Sequence, residues 1–234
     1  MTKDYSRYAT DEKDIVFLGK LPVKAMQRGG DPTSLKAYST ADEYAAGIDQ
    51  AASGYWKDGS KGNFVSRMKG IVKFGLQNAF DEGASDVDTG PEDYTKEDTA
   101  FRDGIITEEQ SHINDLLSYL DGIANDPNGK LADADVRLSM WKQRFTDVVN
   151  QAKIRFGGKD KLIWRLGATE KHCSTCAALD GIVAWAQEWD KSGLRPQNPP
   201  NGKLECGGWQ CDCSMESAPN RRTPKALDKI MAIA

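Results

Sequence analysis

His172-Cys173-Ser174-Thr175-Cys176 and, after the segment 177–205, Cys206-Gly207-Gly208-Trp209-Gln210-Cys211-Asp212-Cys213 hold all five cysteines of the 234-residue chain. Residues 1–172 contain none. Thiols used only for packing would be scattered through a core, so this clustering implies a shared task. A structural metal site and a disulfide staple both fit, with free thiols as the remaining reading. Zinc has the better geometry: a C-x-x-C wraps one ion at a tight turn and a second close pair completes a tetrahedron. The ligands expected are Cys173, Cys176, Cys211 and Cys213, with Cys206 as the substitute. An odd cysteine count argues against complete disulfide pairing. The polar start Met1-Thr2-Lys3-Asp4-Tyr5 has no signal-peptide pattern, and a cytoplasmic chain stays reduced.

Around these cysteines the pattern predicts a small α/β lobe over 159–216. Asp160 to Leu166 alternates apolar and polar as a strand does. Ile182-Val183-Ala184-Trp185 reads as a second strand and Ala186 to Lys191 as a helical turn. The loop from Gly193 to Gly202, with Pro196, Pro199 and Pro200, is extended and held by its prolines. Gly207 and Gly208 suit a turn that carries backbone close to an ion. Trp164, Trp185, Trp189 and Trp209 are dense for so short a stretch and read as a miniature core rather than as base-stacking platforms.

Upstream the pattern is helical, so the fold class is mainly α (α+β), with a helical body over 40–158. Thr40-Ala41-Asp42-Glu43 is a capping box. Tyr44, Ile48, Ala51, Ala52 and Tyr55 follow at helical spacing, and Gly54 with Trp56-Lys57-Asp58-Gly59 is expected to end that helix. A second helix runs from Asn63 to Phe80 with Phe64, Met68, Ile71, Val72 and Leu76 on one face and Lys61, Arg67, Lys69 and Lys73 on a solvated one. Between Asp81 and Glu109 eleven acidic residues face only Lys96 and Arg102. This reads as an irregular, solvated linker near 81–106 and as the best candidate for a hinge between two helical layers; Asp86-Val87-Asp88 lacks the glycine and distal glutamate of an EF-hand. Thr107-Glu108-Glu109-Gln110 is expected to cap a helix reaching Asn125, with His112 beside its apolar stripe as a boundary residue rather than a ligand or base. Ala134, Leu138, Trp141, Phe145, Val148, Ala152 and Phe156 mark the clearest helix, stopped by Gly157-Gly158. Residues 1–39, with the run Ile15-Val16-Phe17-Leu18 and the break Arg28-Gly29-Gly30-Asp31-Pro32, form an arm or extension. Residues 217–234 form a basic tail helix, Thr223 as cap and Pro224 as first helical residue.

Trp164-Arg165-Leu166-Gly167-Ala168-Thr169-Glu170-Lys171-His172-Cys173-Ser174-Thr175-Cys176-Ala177-Ala178-Leu179-Asp180-Gly181, then Pro199-Pro200 and the closing Cys211-Asp212-Cys213, resembles the C-terminal signature of phage Mu F-like minor head proteins, the head morphogenesis family. Many members have a His-Pro pair before the last C-x-C and an arginine inside it, where this chain has Cys206-Gly207-Gly208 and Asp212. The resemblance implies a virion protein of the phage head, made in the host cytoplasm and acting in head morphogenesis or DNA delivery. It implies the portal protein and the major capsid protein as partners. Packaged DNA is a further partner expected at Arg221, Arg222, Lys225 and Lys229.

Composition fits an ordinary globular chain: 39% hydrophobic, 28% charged, net charge −4. That mildly acidic balance disfavours wholesale nucleic-acid binding, and no apolar run is long enough for a bilayer. With two histidines, no phosphate loop and no G-x-G-x-x-G, the chain is read as no enzyme. His172 beside Cys173 lacks an identifiable carboxylate partner for nucleophilic catalysis. The alternative reading is a zinc-ribbon nucleic-acid-binding protein.

Overall fold

A computed structural model describes residues 38–168, 171–198, 201–208, 211–219 and 221–233. All but Tyr38 and Ser39 of the expected arm, together with Pro199-Pro200 and Trp209, lie outside these residues. The fold is mainly α with one small sheet, as the pattern predicted. Among the described residues no helix is long and apolar enough to cross a membrane.

Helix α1 spans Ala41–Asp58. Thr40 Oγ1 accepts the Glu43 N–H at 3.2 Å, while the Glu43 carboxylate takes the Ser39 N–H at 2.8 Å. The capping is thus shared over two residues rather than closed on Thr40. Of the expected ending segment, Gly54 lies inside the helix, because Tyr55 still packs inward, and the end falls at Asp58-Gly59. It stops at Gly59, whose left-handed φ of 64° lets its N–H reach the Tyr55 carbonyl at 2.8 Å. Helix α2, Lys61–Ser85, buries the predicted face of Phe64, Met68, Ile71, Val72 and Leu76 and leaves Lys61, Arg67, Lys69 and Lys73 exposed.

The acidic segment is where expectation and structure part. Residues 81–106 are not an irregular linker: they complete α2, form a short 3-10 turn at Pro91–Asp93 and enter helix α3, Lys96–Ser111. The true cap is Thr95, which accepts the Asp98 N–H at 3.1 Å while Asp98 takes the Thr95 N–H at 3.0 Å. Thr107, expected to cap, lies inside α3 with its hydroxyl donating to the Asp103 carbonyl at 2.8 Å. Helix α4, Ile113–Asn125, starts after a break at exposed His112 and buries Ile113, Leu116 and Leu120. The connection is packed: Val87 is buried, and Tyr94 stacks on Phe156 with ring centroids 5.0 Å apart.

Helix α5, Asp135–Gly157, is the axis of the molecule and matches its predicted seam. Leu138, Trp141, Phe145, Val148 and Ala152 join the body core with α1, α2 and α4. Farther along, Ile154 joins a second core and Phe156 packs against both. Gly83 of α2 lies so close to α5 that a Cβ there would sit 2.2 Å from the Val149 carbonyl oxygen.

The second core belongs to the lobe. Strand β1 (Lys161–Arg165) is central, between antiparallel β2 (Val183–Trp185) and β3 (Ser214–Ser217). The register sets Leu162 against Ala184 and Trp164 against Met215. Helices α6 (Ser174–Leu179), α7 (Ala186–Ser192) and α8 (Ala226–Ile233) complete it. Trp164 and Trp189 are fully buried with centroids 5.8 Å apart, as expected of a miniature core.

Polar contacts weld lobe to body. Asn150 Oδ1 of α5 accepts the Met215 N–H at 3.1 Å, satisfying the outer edge of β3. Asp147, also on α5 and fully buried, accepts from Arg195 Nε at 3.0 Å, from Gln151 at 2.9 Å and from Arg144. Arg144 reaches on to Glu109 of α3 at 2.6 Å. A buried charge survives only when paired and hydrogen-bonded in this way.

The tail differs from expectation at its start. Thr223 does not cap a helix; its N–H donates to the Val183 carbonyl at 2.9 Å and its hydroxyl accepts the Val183 N–H at 3.0 Å, extending the sheet edge. Helix α8 therefore begins only at Ala226, anchored by Ala226 and Ile230.

Candidate metal centre

Three separate segments deliver the five sulfurs. The C-x-x-C sits at the start of α6, where Cys173 is the cap residue and its sulfur accepts the Cys176 N–H at 3.3 Å. The short helix aims Cys176 into the lobe core while Cys173 stays half-buried. Cys206 arrives on the loop after α7. Its approach is fixed by a reciprocal clasp: Glu205 Oε2 accepts the Ser174 N–H at 2.7 Å and hydroxyl at 2.6 Å, and the Glu205 N–H donates to Thr175 Oγ1 at 3.2 Å. Gly207 and Gly208 have φ of 63° and 81°, the left-handed turn predicted for this pair.

Cys211 and Cys213 come on the strand leading into β3. Opposite them is Gly167, which can only be glycine: a Cβ there would lie 2.2 Å from both the carbonyl oxygen and Cγ of Asp212. That close approach brings the Gly167 N–H to the Cys213 sulfur. Gln197, itself at a positive φ of 53°, donates to the Cys213 carbonyl at 2.8 Å.

All five cysteines are reduced. Their sulfurs form two triads, Cys173–Cys176–Cys206 and Cys176–Cys211–Cys213, with all members of each triad within 4.8 Å of one another. Cys176 belongs to both. The Cys176 and Cys211 sulfurs are 3.9 Å apart. A tetrahedral thiolate site with metal–sulfur bonds near 2.3 Å has edges of about 3.8 Å, so the spacing suits an ion. The cluster could hold a metal. Four expected ligands lie within it, but Cys206, expected only as a substitute, stands in a triad on equal terms with the C-x-x-C.

The electrostatics are also those of a ligand set. Hydrogen bonding with Cys176 and Cys211, helped by the Gly167 N–H and the Trp164 indole, pulls the Cys213 thiol down to about 4. The same contacts with Cys211 and Cys213, ahead of burial, push Cys176 up. Burial raises Cys206 to about 11. Crowded thiols cannot all ionise unaided; a cation at their centre removes that conflict. The Trp164 indole N–H is fully buried and makes no hydrogen bond, to sulfur or otherwise, among the described residues. Its polar effect falls on the Cys213 sulfur, the kind of outer-shell donor that metal thiolates use.

Of the basic tail, Arg221, Lys225 and Lys229 are exposed, whereas Arg222 is engaged in a forked ion pair with Glu188 of α7. Neither the Glu109–Arg144–Asp147–Arg195 chain nor the Glu205 clasp is legible in the sequence, because their members lie far apart along it.

No family model, curated protein or solved structure matches the chain.

Proposed function

We propose that this chain is a phage minor head protein of the Mu F-like kind, with a zinc-stapled lobe as a rigid docking element for the portal or capsid. The observation that carries the reading is the convergence of five reduced cysteines from three segments on Cys176, in the same stretch whose sequence resembles that family. Zinc suits an all-thiolate site with no redox role, and it supplies fold stability that so small a core lacks. The chain's own residues shape the surface. The Glu205 clasp fixes the C-x-x-C against the loop carrying Cys206, and the Asp147 and Asn150 contacts fix the lobe on α5. No arrangement of acid, base and nucleophile is invoked.

The deciding experiment is quantitative mass spectrometry of purified particles encoded with this chain, scaled to the portal protein. A few to some tens of copies per particle, cross-linking to the portal, is the expected result (an order-of-magnitude range for a minor component of a symmetric shell). Absence from finished particles overturns the virion assignment. The alternative, a zinc-ribbon nucleic-acid binder, would use Arg221, Lys225 and Lys229; it requires DNA binding that collapses steeply with salt. Burial of Trp164 and Trp189 removes both from base stacking.

A further inference from the structure

The sulfur geometry points to two ions rather than one, with Cys176 as the bridging thiolate; we propose a binuclear zinc site built on the five cysteines. This deepens the metal reading above and rests on it. Three observations carry it.

The first is the grouping. The sulfurs close into threes, Cys173–Cys176–Cys206 and Cys176–Cys211–Cys213, and the shared member is the one at the centre of the cluster. A single tetrahedral ion needs four sulfurs mutually in reach, and it would leave the fifth without a role. Two triads with one common vertex instead give each ion three sulfurs, Cys176 being shared as the bridge, with a solvent oxygen completing each tetrahedron.

Secondly, no cysteine is built as a spare. Cys206 is set by the Glu205 clasp to Ser174 and Thr175. Cys213 is set by the close approach of Gly167 to neighbouring Asp212 and by Gln197 on its carbonyl. Cys173 caps α6 and accepts the Cys176 N–H. Each terminal position thus has its own supporting contact, which a redundant thiol would not need.

The third is charge. Cys176, Cys211 and Cys213 are buried. One dication with its four thiolates leaves two uncompensated negative charges in that interior and a neutral fifth thiol; two dications with all five thiolates leave one. Buried uncompensated charge is costly, so the second ion is favoured wherever the sulfurs reach it.

The test is metal stoichiometry of the full chain, purified reduced and titrated with zinc. It would be read by native mass spectrometry and elemental analysis, with far-UV circular dichroism as the check on folding. Two zinc ions per chain are expected at saturation. Cys206→Ser and Cys213→Ser, made singly, should each lower the count to one while the helical signal persists. NMR of the cadmium-substituted protein should show two metal resonances coupled to each other through the shared sulfur. One ion per chain at saturation, or a count unchanged by Cys206→Ser, overturns the bridged site and leaves a single-ion staple standing. A folded, reduced chain that takes up no zinc overturns the staple as well.

Discussion

Asp147→Asn is the sharpest perturbation of how the lobe is held. The side chain is fully buried on α5. Its Oδ1 takes Arg195 Nε at 3.0 Å, and its Oδ2 takes Gln151 at 2.9 Å and Arg144. The asparagine amide has nearly the same shape, so packing is preserved. It has only one acceptor oxygen, however, and in either orientation its NH2 meets a donor. It also leaves two guanidinium groups without their shared anion. Arg144 keeps Glu109, but Arg195, 24% exposed, loses the carboxylate it is paired with. Removing one member of a buried ion pair costs about 3–5 kcal/mol. For a chain of this size that corresponds to a fall in Tm of roughly 6–20 °C, at about 2–4 °C per kcal/mol. Thermal and urea unfolding at neutral pH would measure it, and a double-mutant cycle with Arg195→Met would isolate the pair across the lobe–body contact. A loss below about 1 kcal/mol, or no coupling to Arg195, would refute the reasoning, since the burial cost of this network would then be met elsewhere.

Other expectations follow from single contacts. Gly83→Ala gains about 1 kcal/mol of helix propensity but drives a Cβ to 2.2 Å from the Val149 carbonyl oxygen; a net loss of about 1–3 kcal/mol in urea unfolding is expected, and a stabilised protein would show that α2 and α5 are not in such close approach. Arg222 hydrogen-bonded to Glu188 holds that carboxyl below its usual range. The stability it contributes is therefore present above the unfolded value near 4.3 and is lost as pH falls through the lower folded value. Glu188→Gln should flatten that acid limb in urea titrations run between about pH 3 and 6, and an unchanged limb would remove Glu188 from it. Trp164→Phe deletes the indole N–H that bears on Cys213 and should weaken metal binding by about 10-fold or more in competition with a chromophoric chelator. Trp189→Phe, whose N–H instead donates to the Leu162 carbonyl at 3.2 Å, should cost stability and leave metal affinity in place. Equal effects of the two on metal binding would sink the outer-shell role of Trp164.

Much of the architecture could be read from side-chain period. Leu138, Trp141, Phe145, Val148 and Ala152 repeat at helical spacing and are buried as one face; Leu162 and Trp164 alternate as β1 requires. The clustering of the cysteines located the centre. What failed did so for identifiable reasons. In 96–106 the acidic residues masked a helix whose apolar anchors are few, Ile105 and Ile106 among them. Thr107 had a capping sequence, but its hydroxyl bonds back to Asp103 and leaves the helix unbroken. Spacing along the chain could not reveal that Cys206 meets Cys173 and Cys176, because that meeting depends on Glu205 reaching Ser174 across a folded loop. Nor could it reveal that Thr223 would pair with Val183 instead of starting a helix.

Because α5 runs through both cores, it is also a strut. At 1.5 Å per residue its 23 residues make a rod of about 35 Å. Leu138 and Trp141 grip one end, and Ile154, with Phe156 between the cores, grips the other. A pull or twist applied at the cysteine lobe cannot be absorbed in a slack connector; it is delivered along this rod into α1 and α2. Mechanical load on the lobe would thus be felt by the body as well, and the joint at Gly157-Gly158, where Gly158 has a left-handed φ of 49°, is where such a load would first find compliance.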